Sequence, residues 1–408
     1  MERSSLEARY RPGRERHGIA LCLSGGGYRA ALFHAGALRR LNELGVLSQA
    51  RTISSVSGGS IASGLLATVW PRLERDGHRF TNLETLFERP LRAFCERNVR
   101  NRPLLWGRMD PRNWPRLLSS SFSATDLLVH EYERLLGPVR LSGLPSHPRF
   151  VFCAANLETG VSFELSARSI GDYVLGYAEP GDFTLAEAVA ASSSFPFAFP
   201  PLVRTVDVDA FTGGDKKAVA TGFRPGPRVA LTDGGVYDNM GLEPAWKTHA
   251  TVLVSDGGTP FEIRARPQTW LVPRLQRSFQ VVANQALAVR KRWLISAYLR
   301  GVYGGGYWGL GTDSDEYRLP GGPRPAGYSG RVLDRLRVVR TDLDRFAPPE
   351  QSVLMNHGWA LAGAALARWG PDLAPQPSSA VPPDPGLLDP DAALAALAES
   401  DRFRLFGH

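Results

Sequence analysis

The chain has 408 residues, of which 43% are hydrophobic and 22% charged, and it carries a formal net charge of +8. This composition is typical of a globular protein with a full core and excludes an intrinsically disordered chain. The sequence contains no apolar run of membrane-spanning length, and its first residues lack the apolar segment of a secretory signal, so we expect neither a membrane span nor a signal peptide.

The positive net charge is compatible with two kinds of partner, nucleic acid or an anionic membrane. No basic run with interleaved aromatic residues forms a recognisable nucleic-acid module, so we expect no nucleic-acid partner. Cys22, Cys95 and Cys153 are too few and too scattered for a disulfide framework or a zinc site. No other cluster has metal-ligand spacing, and the sequence therefore predicts no metal, no cofactor and a reducing, cytoplasmic location.

The first predicted elements are a strand, a glycine turn and a helix. Residues 1–17 form a charged leader that we expect to be flexible, and an apolar strand then runs into the glycine turn 25–27 before a helix over residues 30–44. Backbone N–H groups at a helix start are unpaired and lie at the positive end of the helix dipole, so this turn predicts an anion site. The turn also fits a dinucleotide fingerprint, but the next strand ends without the acidic residue that a ribose requires.

A second predicted strand ends in Ser57, which Gly58 and Gly59 follow. A serine on a tight strand-to-helix turn presents its hydroxyl at the top of a sheet, as the nucleophiles of many hydrolases do. The first glycine of that motif is replaced here by Ser55, and an ordinary Ser/Gly turn is the alternative interpretation.

The segment 71–149 separates the helix after Ser57 from the next strand at 150–154, and it is rich in Arg, Pro and aromatic residues, including Trp106 and Trp114. Ordinary crossover helices are one interpretation of this insert. Because it is long for a connection, we predict that it caps a pocket at the carboxyl ends of the strands.

A later strand at 228–232 runs into Asp233, which two glycines follow. A carboxylate at the end of a buried strand lies where ligands bind in open α/β sheets, and it can serve as general base for a serine without an intervening histidine. The strand at 252–255 ends in the same way with Asp256. The helix-opening residues that follow Asp233 are missing after Asp256, so we favour Asp233 as the base.

The histidines test the rival interpretation, an α/β-hydrolase triad with its histidine on a loop after the last strand. His249, His357 and His408 are the histidines downstream of Asp233. His249 immediately precedes a predicted strand, His357 lies in a predicted helix, and His408 is the last residue. The pattern therefore favours a Ser–Asp dyad.

The last third of the chain predicts a long amphipathic helix, a loop and a tail. The apolar stripe of this helix, which we assign to core packing, consists of Leu275, Phe279, Val282, Ala286, Val289 and Trp293. The glycine and aromatic residues of 301–309 predict a loop at the pocket or at an interface. Residues 371–408 combine a Pro-rich linker with a short helix from Asp391, and we expect this tail to be mobile.

Together, four blocks of the sequence resemble the patatin-like phospholipase family. In chain order they are Gly25-Gly26-Gly27-Tyr28-Arg29, Ser57-Gly58-Gly59, the block 191–201 and Asp233-Gly234-Gly235. The resemblance covers about residues 18–368 and predicts a single domain over 18–370. It implies an α/β three-layer sandwich with a mainly parallel central sheet and helices on both faces. The departure at Ser55 brings the chain closer to the cytosolic phospholipase A branch.

Carried over residue by residue, the resemblance implies that Ser57 is the nucleophile and Asp233 the base. It also implies an oxyanion hole built from the backbone N–H groups of four glycines: Gly25, Gly26, Gly27 and Gly58. Arg29 would contact the head-group phosphate of a substrate. A salt bridge that orients the glycine loop is the alternative role for Arg29.

The resemblance predicts a lipid acyl hydrolase of phospholipase A or lysophospholipase type, cytoplasmic and in peripheral contact with anionic membranes. Its substrate would be a phospholipid or another lipid ester, and no oligomeric state is predicted. Two alternatives stay open. One is a regulated effector whose hydrolysis damages membranes when a signal binds, and the other is a catalytically idle scaffold that binds lipid or protein.

Overall fold

The fold is known from a computed structural model that describes residues 16–101, 123–215, 220, 222–258, 260–266, 270–374 and 381–400. Its strands are β1 (Ile19–Leu23), β2 (Ala50–Ser55), β3 (Arg75–Asp76), β4 (Arg79–Phe80), β5 (Arg149–Asn156), β6 (Ser162–Ser166), β7 (Ile170–Asp172), β8 (Gly176–Ala178), β9 (Leu202–Thr205), β10 (Arg228–Asp233), β11 (Thr251–Asp256) and β12 (Gly304–Gly309). Its α-helices are α1 (Gly27–Glu43), α2 (Gly58–Val69), α3 (Arg89–Cys95), α4 (Ala124–Leu136), α5 (Leu185–Ser193), α6 (Gly235–Asp238), α7 (Glu243–Trp246), α8 (Leu271–Leu299), α9 (Gly330–Arg337), α10 (Pro348–Trp369) and α11 (Pro390–Ala398).

Within these residues, ten strands form one sheet in the order β12-β11-β1-β2-β5-β6-β7-β8, with β10 paired to β5 and β9 paired to β10. The strands β12, β11, β1, β2 and β5 run parallel to one another. The remaining pairs are antiparallel and extend the sheet beyond β5. β3 and β4 form a separate hairpin. The parallel centre of the sheet confirms the predicted fold class.

The two faces of the sheet support different cores, because side chains alternate along a strand. Leu21 and Leu23 of β1 belong to a large core that also contains apolar side chains of α1, α2, α4, α5 and α10. Ala20 and Cys22 point to the opposite face, where they join a second core with Leu294 of α8. Helices therefore cover both faces, and the domain is a three-layer α/β sandwich.

The helices α1 and α2, whose amino ends lie at the site, begin without the side-chain caps that α4 and α5 have. α4 and α5 begin with capping boxes, in which Ser123 and Thr184 cap the first turn. α1 and α2 begin after Gly26 and Ser57 without a side-chain cap. A side-chain cap would occupy the first backbone N–H groups, so its absence leaves donors open at the start of α1 and α2.

The amphipathic helix is present as α8, but its stripe does not pack as predicted. Leu275, Val282, Val289 and Trp293 are between 41% and 68% exposed. The only fully buried positions along the helix, among its described residues, are Leu294 and Ala297 near the carboxyl end. The assignment of this stripe to core packing is therefore wrong. None of the helices described is both long enough and apolar enough to span a bilayer.

Residues 304–309 form an edge strand, β12, where the sequence predicted a loop. β12 pairs in parallel with β11, and Tyr307 and Trp308 are buried. Glycine has low strand propensity, which is why the pattern predicted a loop. A Cβ on Gly305 would overlap the carbonyl oxygen of Val252, so the close approach of the two backbones requires glycine there.

The tail was expected to be mobile, and the structure corrects this for residues 381–400. Ala393 and Leu397 of α11 are buried in the large core. The carbonyl oxygen of Ser400 accepts a hydrogen bond from Arg340 at 3.3 Å. Most of the predicted leader (residues 1–15) and residues 375–380 and 401–408 of the tail lie outside the described residues.

Candidate active site

Ser57 occupies the turn between β2 and α2 with φ 50° and ψ −117°. A non-glycine residue in such a region costs about 1–3 kcal/mol, so the surrounding structure must hold it there. The Ser57 N–H donates to the carbonyl oxygen of Ser192 at 3.1 Å and to its Oγ at 3.0 Å. Ser57 also lines a cavity of about 510 Å³. The strained turn thus presents the Ser57 hydroxyl to an open space at the carboxyl ends of the parallel strands.

Asp233 is the partner of Ser57. Its carboxylate accepts a hydrogen bond from the N–H of Gly235 at 2.7 Å, and it lines the same cavity as Ser57. Burial raises the pKa of Asp233 to about 6, while the Gly235 N–H and the nearby Ser57 side chain lower it. Such a carboxyl group is ionised at neutral pH and is basic enough to accept a proton during a reaction. The structure thus brings together the two residues that the sequence singled out.

β10 reaches Ser57 by running against the parallel strands. Asp233 pairs with Ala154 in antiparallel register, while Ser55 pairs with Phe152 in parallel register. Because β10 pairs only with the last residues of β5, its carboxyl end lies beside the turn that follows β2. The sequence argument placed Asp233 at the carboxyl end of a strand without giving the direction of that strand, and the structure shows that this strand is antiparallel to β5.

The two glycine turns at the starts of α1 and α2 carry open backbone donors. The N–H groups of Gly26, Gly27 and Gly58 have no hydrogen-bond acceptor in the part of the chain that the structure describes. Gly26 and Gly27 have φ values of 143° and 60°, which favour glycine. These donors lie at the amino ends of α1 and α2, where both helix dipoles are positive. The site therefore contains open N–H groups that suit a negatively charged oxygen.

Gly25 is removed from the predicted set of donors. Its N–H already donates to the carbonyl oxygen of Asn239 at 3.1 Å. Asn239 lines the cavity and is a site residue that the sequence analysis missed. A Cβ on Gly25 or on Gly235 would overlap the Asn239 side chain, so both glycine turns close around this residue. The signal in the sequence was its position shortly after the Asp233 turn.

The glycine turns also touch each other. A Cβ on Gly58 would overlap the carbonyl oxygen of Gly27, and a Cβ on Gly27 would overlap the backbone of Asp342. Side chains at these two positions would force the turns apart. Glycine is therefore required at both, and it keeps the open donors of α1 and α2 close together.

Arg29 lies in the cavity wall, but its guanidinium is engaged by the protein. Nη1 donates to the carbonyl oxygen of Val339 at 2.8 Å, and Nη2 and Nε donate to that of Gly257 at 2.9 and 3.2 Å. Burial lowers the pKa of Arg29 to about 10, and the charge of Asp256 opposes that shift. These contacts engage the guanidinium with backbone carbonyl oxygens instead of a salt bridge, which favours the orienting alternative for Arg29 over the head-group role.

Asp256, the alternative base, is held by other partners. Its carboxylate accepts hydrogen bonds from the Tyr307 hydroxyl at 2.8 Å and from the Gly258 N–H at 2.9 Å. Ser57 is not among the hydrogen-bond partners of Asp256 in the described residues. The geometry thus separates the two similar Asp-Gly-Gly turns, because Asp233 lines the cavity with Ser57 whereas the Asp256 carboxylate contacts Tyr307 of β12 and is not among the lining residues described.

No histidine lines the cavity in the described ranges. His249 hydrogen-bonds the Thr248 hydroxyl at 2.9 Å, and Nε2 of His357 lies 3.0 Å from the carbonyl oxygen of Leu310. Burial lowers the pKa of His357 to about 4. His408 lies outside the described residues.

The described chain also shows no group of three or more His, Cys, Asp or Glu side chains placed to hold a metal ion.

Part of the cavity wall is aromatic and comes from segments that the sequence analysis did not assign to the site. Phe195, Phe261 and Phe279 line it, and the rings of Phe195 and Phe279 meet edge to face at 6.2 Å. Phe279 belongs to α8, which forms one side of the cavity. Phe195 follows the serine run of the block 191–201, and this block was the feature of the sequence that could have indicated a place for Phe195 in the site.

The insert 71–149 was predicted to cap the pocket. Among its described residues only Arg100 lines the cavity, while side chains such as Phe87 and Phe94 are buried in the large core. Residues 102–122, with Trp106 and Trp114, lie outside the described residues. In the described part of the insert, Arg100 reaches the cavity and α8 forms one of its sides, so a capping role for the insert stays a prediction.

Comparison with curated proteins gives no match. Among solved structures, human GIVD cytosolic phospholipase A2 aligns at 14% identity with a TM-score of 0.46, over 94% of this chain and 60% of that chain. The same human protein in complex with a methyl gamma-linolenyl fluorophosphonate inhibitor and terbium chloride aligns at 15% identity with a TM-score of 0.47. VipD from Legionella pneumophila aligns at 15% identity with a TM-score of 0.32, over 86% of this chain and 66% of that chain.

The chain thus spans 60% of the length of the human protein that it matches. The family model described as patatin-like phospholipase matches residues 21–246, which is more than half of the chain. This range includes both glycine turns, Ser57 and Asp233. The chain belongs to the patatin-like phospholipase family.

Proposed function

We propose that this protein hydrolyses ester bonds of lipids through a dyad of Ser57 and Asp233. The observation that carries the proposal is that one cavity holds both a serine on a strained turn and a buried carboxylate whose pKa is raised to about 6. Family membership supports lipid as the substrate class. The aromatic cavity beside Ser57 suits an acyl chain, because apolar surface gains free energy when it leaves water.

In the first half of the reaction, Asp233 accepts the proton of the Ser57 hydroxyl while Oγ attacks the ester carbonyl carbon. The carbonyl oxygen becomes an oxyanion that the N–H groups of Gly26, Gly27 and Gly58 bind. Loss of one such donor typically costs about 2.7–4 kcal/mol of transition-state stabilisation. The carbon–oxygen bond to the leaving alcohol then breaks, and Asp233 returns its proton to that oxygen.

In the second half, the acyl group is bound to Ser57 as an ester. Asp233 accepts a proton from water, whose oxygen attacks the acyl carbon, and the same three N–H groups bind the new oxyanion. The bond to Ser57 Oγ breaks and the proton on Asp233 returns to it. A fatty acid leaves and the dyad is restored, so the cycle needs no group beyond those in the site.

The test compares the wild-type chain with Ser57→Ala on a mixed phospholipid and lysophospholipid substrate, with released fatty acids measured by mass spectrometry. We expect release by the wild type and loss of at least about a thousandfold in the variant. A fluorophosphonate probe should label the wild type at Ser57 and leave the variant unlabelled. Ser60 provides the matched control, since its hydroxyl hydrogen-bonds Ser55 and Ser192 instead of facing Asp233.

Full activity in Ser57→Ala would refute the dyad. A folded wild type that neither labels nor hydrolyses any lipid ester would support the idle scaffold instead. Activity that appears only after a cell extract or a small molecule is added would support the regulated effector. The same lipid digest also reports which head group and acyl position the enzyme prefers.

A further inference from the structure

The outer face of α8 is an apolar stripe that is largely uncovered in the described protein. Leu271, Leu275, Val282, Val289 and Trp293 are separated by four, seven, seven and four residues, a spacing that places them on one face of a helix. Each is between 41% and 68% exposed. Exposed apolar side chains that form one continuous patch mark an interaction surface more often than scattered ones do.

This stripe lies in a segment with charges of one sign. Between Glu262 and Asp313 the sequence contains no acidic residue and eight basic ones: Arg264, Arg266, Arg274, Arg277, Arg290, Lys291, Arg292 and Arg300. Arg274 and Arg292 are exposed beside the stripe. The surface therefore combines apolar side chains with positive charge.

The acidic side chains next to this segment are already paired. Glu243 forms an ion pair with Arg290 at 2.9 Å, and Glu262 forms one with Arg264 at 2.7 Å. Neither carboxylate is left to neutralise Arg274 or Arg292. An anionic partner would therefore meet uncompensated positive charge at the outer face of α8.

The inner face of the same helix closes the cavity. Gln280, Ala283 and Leu287 line it. At the border between the two faces, Phe279 contacts Phe195 and the exposed Phe197. The ring centroids of Phe279 and Phe197 are 5.7 Å apart. The exposed stripe and the aromatic rim of the cavity are therefore parts of one continuous surface.

We propose that the outer face of α8 docks the protein on an anionic phospholipid membrane. This inference rests on the proposed function and adds the surface by which the site meets its substrate. A helix with an apolar stripe bordered by Arg and Lys is the arrangement found in helices that lie in the membrane interface. The stripe enters the head-group region, and Arg274 and Arg292 contact lipid phosphates.

Charge favours a membrane over a second copy of the chain. Two copies joined through α8 would bring the same basic segment against itself, and like charges oppose such a contact. A bilayer with anionic lipids offers the opposite charge. It also accepts side chains such as Val282 and Trp293 without a matching surface.

The experiment measures vesicle binding by flotation, with full-length protein carrying Ser57→Ala so that no lipid is consumed. We expect binding to phosphatidylcholine–phosphatidylglycerol vesicles and little binding to phosphatidylcholine alone. Adding Leu275→Ser and Val282→Ser should weaken binding by about tenfold or more, since each side chain loses its apolar contribution. Adding Arg274→Gln and Arg292→Gln should weaken binding and reduce its dependence on salt.

Matched controls carry comparable changes at other exposed sites. Val203→Ser with Val338→Ser controls for the loss of apolar surface, and Arg72→Gln with Arg331→Gln controls for the loss of charge. Thermal unfolding verifies that each variant is folded. Equal binding by the stripe variants and their controls would overturn the proposal.

Two further results would also overturn it. One is no preference of the Ser57→Ala protein for anionic vesicles. The other is a dimer, seen by sedimentation, that the stripe changes dissociate while vesicle binding stays the same. Hydrolysis of a dissolved short-chain ester by proteins that retain Ser57 is measured separately. A failure of the dyad appears only in that assay and a failure of docking only with vesicles, so the two are distinguishable.

Discussion

Ser57 and Asp233 line the same cavity although the strands that lead to them do not pair with each other. Both strands pair with β5: Ser55 with Phe152, and Asp233 with Ala154 two residues further along. β5 therefore positions both members of the candidate dyad. It positions Ser57 through its parallel pairing with β2, and Asp233 through its antiparallel pairing with β10. The distance between the two reacting groups is set by a rigid, buried part of the sheet.

The first prediction concerns the coupling between the two residues. Ser57→Ala and Asp233→Asn should each lower kcat by at least about a thousandfold, because the serine needs a base that accepts its proton. The double variant should be no worse than the more damaged single variant, since groups that act as one unit are not additive. Steady-state kinetics on a soluble ester checks this.

Asp256→Asn is the control for that experiment, because Asp256 ends the neighbouring strand with the same Asp-Gly-Gly sequence. Its carboxylate contacts Tyr307 instead of Ser57. We expect kcat to change by less than about tenfold in a folded variant. A greater loss in Asp256→Asn than in Asp233→Asn would reverse the assignment of the base.

The second prediction concerns pH. Asp233 must be ionised to accept a proton, and burial raises its pKa to about 6. Activity should therefore fall as the pH decreases through about 6, by about tenfold for each further unit. A kcat/KM profile of a soluble ester measures this limb. A limb near the ordinary pKa of an aspartate would contradict the raised pKa of Asp233, and a limb near 6 that persists in the residual activity of Asp233→Asn would show that another group is the titrating base.

The third prediction separates the dyad from a triad. His249 lies outside the cavity wall and hydrogen-bonds Thr248, so His249→Ala should leave kcat nearly unchanged. Burial lowers the pKa of His249, and its loss should also leave the acidic limb of the pH profile in place. A loss of several orders of magnitude in a folded variant would favour a histidine base.

The sequence was sufficient to predict the strands β1, β2, β5, β10 and β11 and the two glycine turns, because these depend on local chemistry. It also placed Ser57 and Asp233 at strand ends, and both line one cavity. The direction of β10 was not predictable, since an antiparallel strand and a parallel strand present the same apolar pattern. Asn239 was missed because its role depends on the backbone of Gly25, which is distant in sequence.

The exposure of α8 was misjudged for a different reason. A stripe of apolar residues at helical spacing shows that one face differs from the other, but it does not show which face meets the protein. In α8 the side with Gln280 and Ala283 lines the cavity, whereas Val282 is 68% exposed. The stretch between Glu262 and Asp313 has no acidic residue. This feature was visible in the sequence and could have indicated that the apolar stripe of α8 faces away from the protein.

The fourth prediction concerns the oxyanion donors. A Cβ on Gly58 would overlap the Gly27 carbonyl oxygen, so Gly58→Ala should push the two glycine turns apart. We expect kcat to fall by about 100- to 1000-fold, the effect of losing one oxyanion donor, with a smaller change in KM. Gly143→Ala is the control, because a Cβ there meets no atom within 4 Å. Equal kinetics for the two variants would contradict a role for these turns.

The fifth prediction is that Asp233→Asn stabilises the fold while it abolishes activity. Burial raises the pKa of Asp233 from 3.8 to about 6, so between these values the folded protein holds a proton that the unfolded chain has released. The stability contributed by this residue is therefore highest below about pH 4, falls as the pH rises through about 6, and stays low above that.

Asparagine does not titrate, and its side-chain oxygen can still accept the hydrogen bond from the Gly235 N–H. Relative to the wild type, Asp233→Asn should gain up to about 3 kcal/mol in the free energy of unfolding between about pH 4 and pH 8, since each unit of pKa shift corresponds to about 1.4 kcal/mol. Urea denaturation of both proteins at the two pH values measures this difference, and Asp256→Asn is again the control. A difference that shrinks as the pH rises would show that the folded protein favours the charged form of Asp233, contrary to the desolvation that its burial implies.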